Sequence, residues 1–151
     1  MVKLADTEST PTQIDSIKEK RVPESPELLQ LNETDWKRGN RDADVVIVKY
    51  SDFQCSACRV YASFDHFLNE ELEDEVLFVY RYFPLKNFKF SRLAARYAEA
   101  AGRQGKFWEM HDLLFINQPR WQFIQDSAEP MFREFAQTLH LDMGQLDKDL
   151  Q

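Results

Sequence analysis

The sequence predicts an α/β domain built in two parts. A strand–helix–strand unit spans residues 28–89 and an all-helical block spans residues 90–151, behind a polar tail over residues 1–27. Three observations lead there. "DVVIVKY" (Asp44–Tyr50) and "EVLFVYRYF" (Glu75–Phe83) are β-branched and aromatic runs of strand length. Between them, Val60, Tyr61, Phe64, Phe67 and Leu68 recur at helical spacing. Beyond Phe90 the apolar residues follow helical periodicity alone, so a βαβ unit is followed by helices without further strands.

In chain order, "ADTESTPTQIDSIKEKRVPESPE" has little apolar content and predicts a flexible tail or linker. "LLQLNETDWKRGNRDAD" predicts a short edge strand near Leu28–Leu31 and then turns around Gly39 and Asn40. The continuous apolar run Asp44–Tyr50 predicts a strand buried on both faces, as in the centre of a parallel sheet. The helix opening at "CSAC" is expected to bury its Val60–Leu68 face, and the second strand stops at Pro84. Leu93, Ala94, Tyr97, Ala98 and Ala101 line the next helix, which ends at Gly102 or Gly105. Phe107, Trp108, His111, Leu114 and Phe115 line another, closed before Pro119. Asp126 or Ser127 caps a helix bearing Phe132, Phe135, Ala136 and Leu139, and Asp142 with Gln145 forms a capping box for the last.

At 151 residues, with 43% hydrophobic and 13% aromatic residues, the chain is long enough for one packed core. A net charge of −7 argues against a protein that binds nucleic acid by neutralising phosphates. No run reaches transmembrane length, and the chain as given carries no signal peptide.

The two cysteines, Cys55 and Cys58, stand where a strand gives way to a helix. Unpaired N–H groups and the positive end of the helix dipole favour an anion there, so the Cys55 thiol is expected below its ordinary pKa of about 8.5. Cys58, one turn deeper, is expected to be more shielded and to resolve a mixed disulfide formed on Cys55. Two rival readings exist. A purely structural disulfide would close a ring so small that it contributes about 2 kcal/mol or less. A zinc site needs two more ligands, and His66, His111 and His140 form no ligand pair.

Beyond the pair, "VVIVKYSDFQCSACRVYASF" resembles the active-site segment of the DsbA-like thiol–disulfide oxidoreductases, a branch of the thioredoxin fold with a helical insertion. "DWKRGNRDADVVIVKYSDFQC", "VYRYFPL" and "AARYAEAAGRQGKFWEMHDLLFINQPRW" extend the resemblance over roughly Leu31 to Leu150. It implies a thioredoxin-like fold with Cys55 as the nucleophile, Cys58 as the resolving thiol, and Ser56 and Ala57 as the dipeptide that tunes redox poise. It implies dithiol oxidation of cysteine-containing proteins, a recycling redox partner, and no metal or organic cofactor beyond the Cys55–Cys58 disulfide. It also implies work outside the cytoplasm, in the periplasm, the cell envelope or a secreted form, with a membrane tether through an N-terminal segment. The other function classes are a non-catalytic binding or scaffold module of the same fold and, less favoured, a zinc module.

The chain departs from that family in three places. Ser56 and Ala57 replace a dipeptide that often includes His, so Ser56 is expected to offer the thiolate only a hydroxyl. Lys49 stands where many relatives have an acid, and a lysine there would favour the thiolate. None of the prolines follows the helical block and precedes a strand, so the fold's C-terminal strands and helix are expected to be missing. That would leave Val45–Tyr50 as an exposed edge, with a swapped or edge-paired oligomer as the result. Among the aromatics, Tyr61 and Trp108 are expected in the core. Phe53, in the turn before Cys55, is the expected substrate contact. Arg81 is expected to pair with an acidic neighbour.

Overall fold

The sheet is built around Val76–Tyr82, β3, whose first five residues are buried. In the computed structural model, which describes residues 29–151, β3 has a neighbour on each side. β1 (Trp36–Gly39) runs antiparallel to it, with Trp36 opposite Tyr80, and β2 (Val45–Ser51) runs parallel, with Val45 opposite Val76 and Ser51 opposite Tyr82. The order β1-β3-β2 places β2 at the edge. The expected tail over residues 1–27 and the start of the strand expected at Leu28–Leu31 lie outside the described residues. The strand that pairs is Trp36–Gly39 instead, and it is what makes β3 the central strand. The run Asp44–Tyr50, expected to be buried on both faces, has Val45, Val46 and Tyr50 exposed.

Glycine is required where β1 leaves the sheet. Gly39 has φ +94°, and a Cβ there would lie 2.3 Å from the Val76 carbonyl oxygen. The following N–H, of Asn40, donates to Glu73 and Val76 oxygens at 3.1 and 3.2 Å, closing the sheet's end.

The helices are α1 (Ser56–Glu71) between β2 and β3, then α2 (Ser91–Arg103), α3 (Phe107–Ile116), α4 (Gln118–Trp121), α5 (Glu129–Thr138) and α6 (Met143–Asp149). Among the described residues no strand follows α6. Residues 33–151 form one compact unit. Its core joins Tyr97 and Ala98 of α2, Met110 and Leu114 of α3, Trp121, Phe132 and Leu146. Aromatic side chains bury about 150–250 Å² each, worth about 4–6 kcal/mol apiece as an upper figure. Trp36 ties sheet to helices. It stacks on Phe107 at 4.4 Å, its Nε1 donates to Glu99 Oε2 at 3.0 Å, and its ring covers Gly102, where a Cβ would stand 2.3 Å from it.

Helices α2 and α5 end alike. Lys106 N–H donates to Ala101 and Gly105 N–H to Gly102, while Leu141 N–H donates to Ala136 and His140 N–H to Gln137. Both are left-handed C-terminal turns, with Gly105 at φ +75° in one and His140 at φ 56° in the other. Asp142 caps α6, its Oδ1 accepting from Gln145 N–H at 2.9 Å, but the expected capping box is not completed: Asp142 N–H donates to Gln104 Oε1 at 2.8 Å, and the Gln145 side chain turns to Asp149.

Helix α1 reverses the expectation. Its inward side is narrow, with Ala62 buried and Cys58 packed against the core. Val60, Tyr61, Phe64 and Phe67, expected in the core, are exposed, Tyr61 by 63%. Helical periodicity identifies an apolar stripe but not whether a neighbour covers it. Here only the side carrying Cys58 and Ala62 faces β2, β3 and α3.

Candidate active site

The turn between β2 and α1 is fixed by three buried polar side chains. Asp52 Oδ1 accepts from Gln54 N–H at 2.7 Å, an Asx turn that brings the chain round to Cys55. Asp52 Oδ2 accepts from Leu85 N–H at 2.7 Å, and the Ser91 hydroxyl lies 2.5 and 2.7 Å from the two carboxylate oxygens. One carboxylate therefore pins the turn, the exit of β3 and the start of α2. The carboxamide of Gln54 spans from Phe90 N–H to the Gln122 carbonyl, 2.6 Å at each end. Gln118, fully buried, donates through Nε2 to the carbonyls of Phe53 at 2.7 Å and Cys55 at 2.9 Å.

Cys55 is the N-cap of α1, with Cys58 N–H donating to its Sγ at 3.5 Å. Both cysteines are half-buried free thiols. Burial pushes the Cys55 thiol above its ordinary value, although the N–H groups of Cys58 and Ala57 pull the other way. The low thiol expected from the helix start alone is therefore corrected, because desolvation outweighs the amides. Ala57 acts through its backbone N–H. The Ser56 hydroxyl, expected to serve the thiolate, instead donates to Gln122 Oε1 at 3.1 Å.

Lys49 is neither alone nor in solvent. Its ammonium pairs with Asp65 of α1 and lies 5.6 Å from the Phe115 ring centre. Lys49 and Asp65 line one cavity of about 340 Å³ with Cys58, Tyr50 and Tyr61. Lys49 and Asp65 thus neutralise each other on the wall of a cavity that Cys58 also lines. Replacing Lys49 by glutamine leaves the Asp65 carboxylate without that partner and is expected to lower the unfolding free energy by about 1 kcal/mol. Asp65→Asn is expected to cost a similar amount, and the double variant less than the sum of the two in urea unfolding.

Phe53, expected as a substrate contact, is 1% exposed. With its carbonyl held by Gln118, its ring turns inward, 5.3 Å from Tyr80 and 5.0 Å from Phe115. Trp108 is half-buried under Arg38, and Trp121 is fully buried, its Nε1 donating to Leu114 O at 3.0 Å. Arg81 meets both Asp35 carboxylate oxygens at 2.8 Å, the expected acidic partner. His66 sits 3.4 Å from Glu70. Among the described residues no three His, Cys, Asp or Glu side chains cluster as metal ligands do.

His111 is enclosed by the rings of Phe53, Tyr80, Phe107, Trp108 and Phe115. Burial lowers its pKa below the ordinary 6.5, partly offset by Asp112 at 2.8 Å from Nδ1 and reinforced by the charges of Lys49 and Arg38. Below pH 6.5 the unfolded chain binds a proton there that the folded chain refuses, so stability falls as pH falls. Urea midpoints measured from pH 7.5 to 5 are expected to decline, and His111→Gln to flatten the decline.

Asp52, Gln54, Gln118 and Asp65 were not among the residues singled out from sequence. The polar turn "SDFQC" carries the Asx signal for Asp52, whereas Gln118 lies 63 residues beyond Cys55 with no local signature.

Comparison with known proteins bears on this arrangement. The family model described as thioredoxin matches residues 31–151. Among curated proteins, the chain is 37% identical over 120 residues to Na(+)/H(+) antiporter NhaA 3 of Salinispora tropica, covering 77% of this chain and 17% of that protein. It is 42% identical over 87 residues to Na(+)/H(+) antiporter NhaA 1 of Salinispora arenicola, covering 56% of this chain and 13% of that one. The chain thus spans less than a fifth of the length of these relatives. Among solved structures, a thioredoxin-like oxidoreductase from Silicibacter pomeroyi DSS-3 superposes with TM-score 0.65 at 29% identity, over 79% of this chain and 64% of that one. Wolbachia pipientis alpha-DsbA1 shares the fold, with TM-score 0.72 at 19% identity over 83% and 64% of the two chains.

Proposed function

Since the chain belongs to the thioredoxin family, we propose that it performs thiol–disulfide exchange on cysteine-containing proteins through Cys55 and Cys58, in the direction of disulfide formation. The observation that carries this is Cys55 at the N-cap of α1, with Cys58 N–H aimed at its sulfur and the turn beneath braced by Asp52 and Gln118. A substrate thiolate attacks Sγ of oxidised Cys55. The Cys55–Cys58 bond breaks, a substrate–Cys55 disulfide forms, and the Cys58 thiolate that leaves takes up a proton. A second substrate thiolate then attacks the substrate sulfur and releases Cys55. The two electrons pass to the protein, and a redox partner must remove them to restore the disulfide. No metal or organic cofactor enters these steps. The raised Cys55 thiol favours a mild oxidant, because oxidising power grows with stabilisation of the thiolate.

The edge of β2 and the uncovered stripe of α1 support edge pairing with a further strand, in a swapped or edge-paired oligomer. Among the described residues no helix is long and apolar enough to cross a membrane. Similarity to proteins named as antiporters supports a position beside a membrane, reached through a segment N-terminal to the domain, and we place the domain on the extracytoplasmic side.

The test is direct. The chain should reduce insulin with dithiothreitol as electron source, speed disulfide formation in a reduced protein when oxidised, and titrate as a two-electron couple in glutathione buffers. Inactivity in both assays would end the enzymatic reading and leave the binding-module reading.

A further inference from the structure

A cavity of about 280 Å³ lies between α1 and α3, and neither cysteine lines it. Arg59, Ala62 and His66 share one face of α1 and form one wall. Asp112, Phe115 and Ile116 of α3 form the other. Phe115 is buried and Ile116 is 73% exposed, so the apolar lining runs from the interior to the surface. Arg59 is the polar group without a partner. Its side chain is half-buried, and among the described residues its Nε is buried with no acceptor and no carboxylate lies within ion-pair distance of it. A buried donor left in that condition costs about 1–3 kcal/mol. The other polar groups of the lining are already engaged. Asp112 meets Arg38 at 3.4 Å and His111 Nδ1 at 2.8 Å, and His66 meets Glu70 at 3.4 Å. The acid in the wall therefore has its cation, whereas the guanidinium has no anion.

We propose that this cavity binds a small carboxylic acid with an apolar body. The carboxylate sits on the terminal nitrogens of Arg59, and the body packs against Ala62, Phe115 and Ile116. A carboxylate fits because its two oxygens match the planar guanidinium through parallel N–H···O bonds. The apolar body follows from the ring and the aliphatic side chains opposite that charge. The occupant is a small molecule and not an extended polypeptide, because both walls are helices. Their inner N–H and C=O groups bond within the helix and leave no backbone for a strand to pair with. The site goes beyond thiol–disulfide exchange and needs neither cysteine.

The test titrates phenylbutyrate, its neutral amide and acetate into the isotope-labelled full chain and follows the backbone amide signals by NMR. Phenylbutyrate is expected to bind with a Kd of about 0.1–1 mM, with its largest shifts near Arg59 and Ile116. The amide, which lacks the charge, and acetate, which lacks the body, are each expected to bind about tenfold more weakly. Arg59→Gln is expected to bring acid and amide to within about twofold of each other. Ile116→Ser, at an exposed position and checked for an unchanged amide spectrum elsewhere, is expected to weaken acid and amide alike by about threefold. The site is overturned by the absence of a saturable shift with phenylbutyrate, by shifts that fall elsewhere on the chain, or by an amide that binds as well as the acid. It is overturned equally by an acid:amide ratio that a folded Arg59→Gln chain leaves unchanged, or by an affinity that Ile116→Ser leaves unchanged.

Discussion

Replacing Cys55 by serine is expected to lower both insulin reduction and oxidative folding by about a thousandfold or more, while leaving the fold intact. The two halves of that expectation have separate causes. Chemistry fails because Cys58, packed against the core one helical turn further in, is not placed to take over the attack. The fold survives because Cys55 serves α1 as its N-cap, and serine is a better N-cap than most residues. Its hydroxyl can accept from the same Cys58 N–H, so the unfolding free energy should change by less than about 1 kcal/mol. Cys58→Ser is the complementary case. Given a substrate that carries a disulfide, the Cys55 thiolate attacks one of its sulfurs and expels the other as a thiolate; the resolving sulfur is gone, and the substrate should accumulate as a stable adduct on Cys55, seen by mass spectrometry. A Cys55→Ser chain as active as the parent would end the assignment.

Replacing Asp52 by alanine is expected to lower the free energy of unfolding by about 3–5 kcal/mol. The carboxylate is buried, and its removal strands the N–H groups of Gln54 and Leu85 and the Ser91 hydroxyl. Each orphaned group costs about 1–3 kcal/mol. Because those groups belong to the turn, the end of β3 and the head of α2, the variant should also lose exchange activity well below its melting point. Asp52→Asn keeps an acceptor oxygen but turns an NH₂ towards a donor, and should fall between parent and alanine variant. Urea unfolding followed by tryptophan fluorescence measures all three. A loss under about 1 kcal/mol for Asp52→Ala would mean that water replaces the carboxylate without cost.

Local signals in the sequence were enough to find β3, the start of α1 and the cysteine pair, because strand composition and helix caps act over a few residues. The βαβ unit and the helices after Phe90 were legible for the same reason. Three features were not. Which strand is central depends on β1, four residues without strong strand character that pair with β3. Which face of α1 is covered depends on neighbours, so Tyr61 and Phe64 read as core and stand in the open. The brace under Cys55 depends on Gln118, and the pairing of Lys49 with Asp65 crosses from a strand to a helix. Neither leaves a trace in local composition, and Phe53 points inward because of the first of them.

The position of β2 has a further consequence. The cavity shared by Cys58, Lys49 and Asp65 is lined by residues of β2 and α1, and among the described residues β2 is an edge strand of the sheet. Any strand that adds to that edge becomes a roof over the ion pair. Roofing expels water, and the two charges then attract each other more strongly through a medium of lower dielectric constant. Edge occupancy would therefore tighten the clasp between β2 and α1. The stability of that clasp should then depend on whether the edge is occupied, and so on protein concentration wherever a second copy is the occupant.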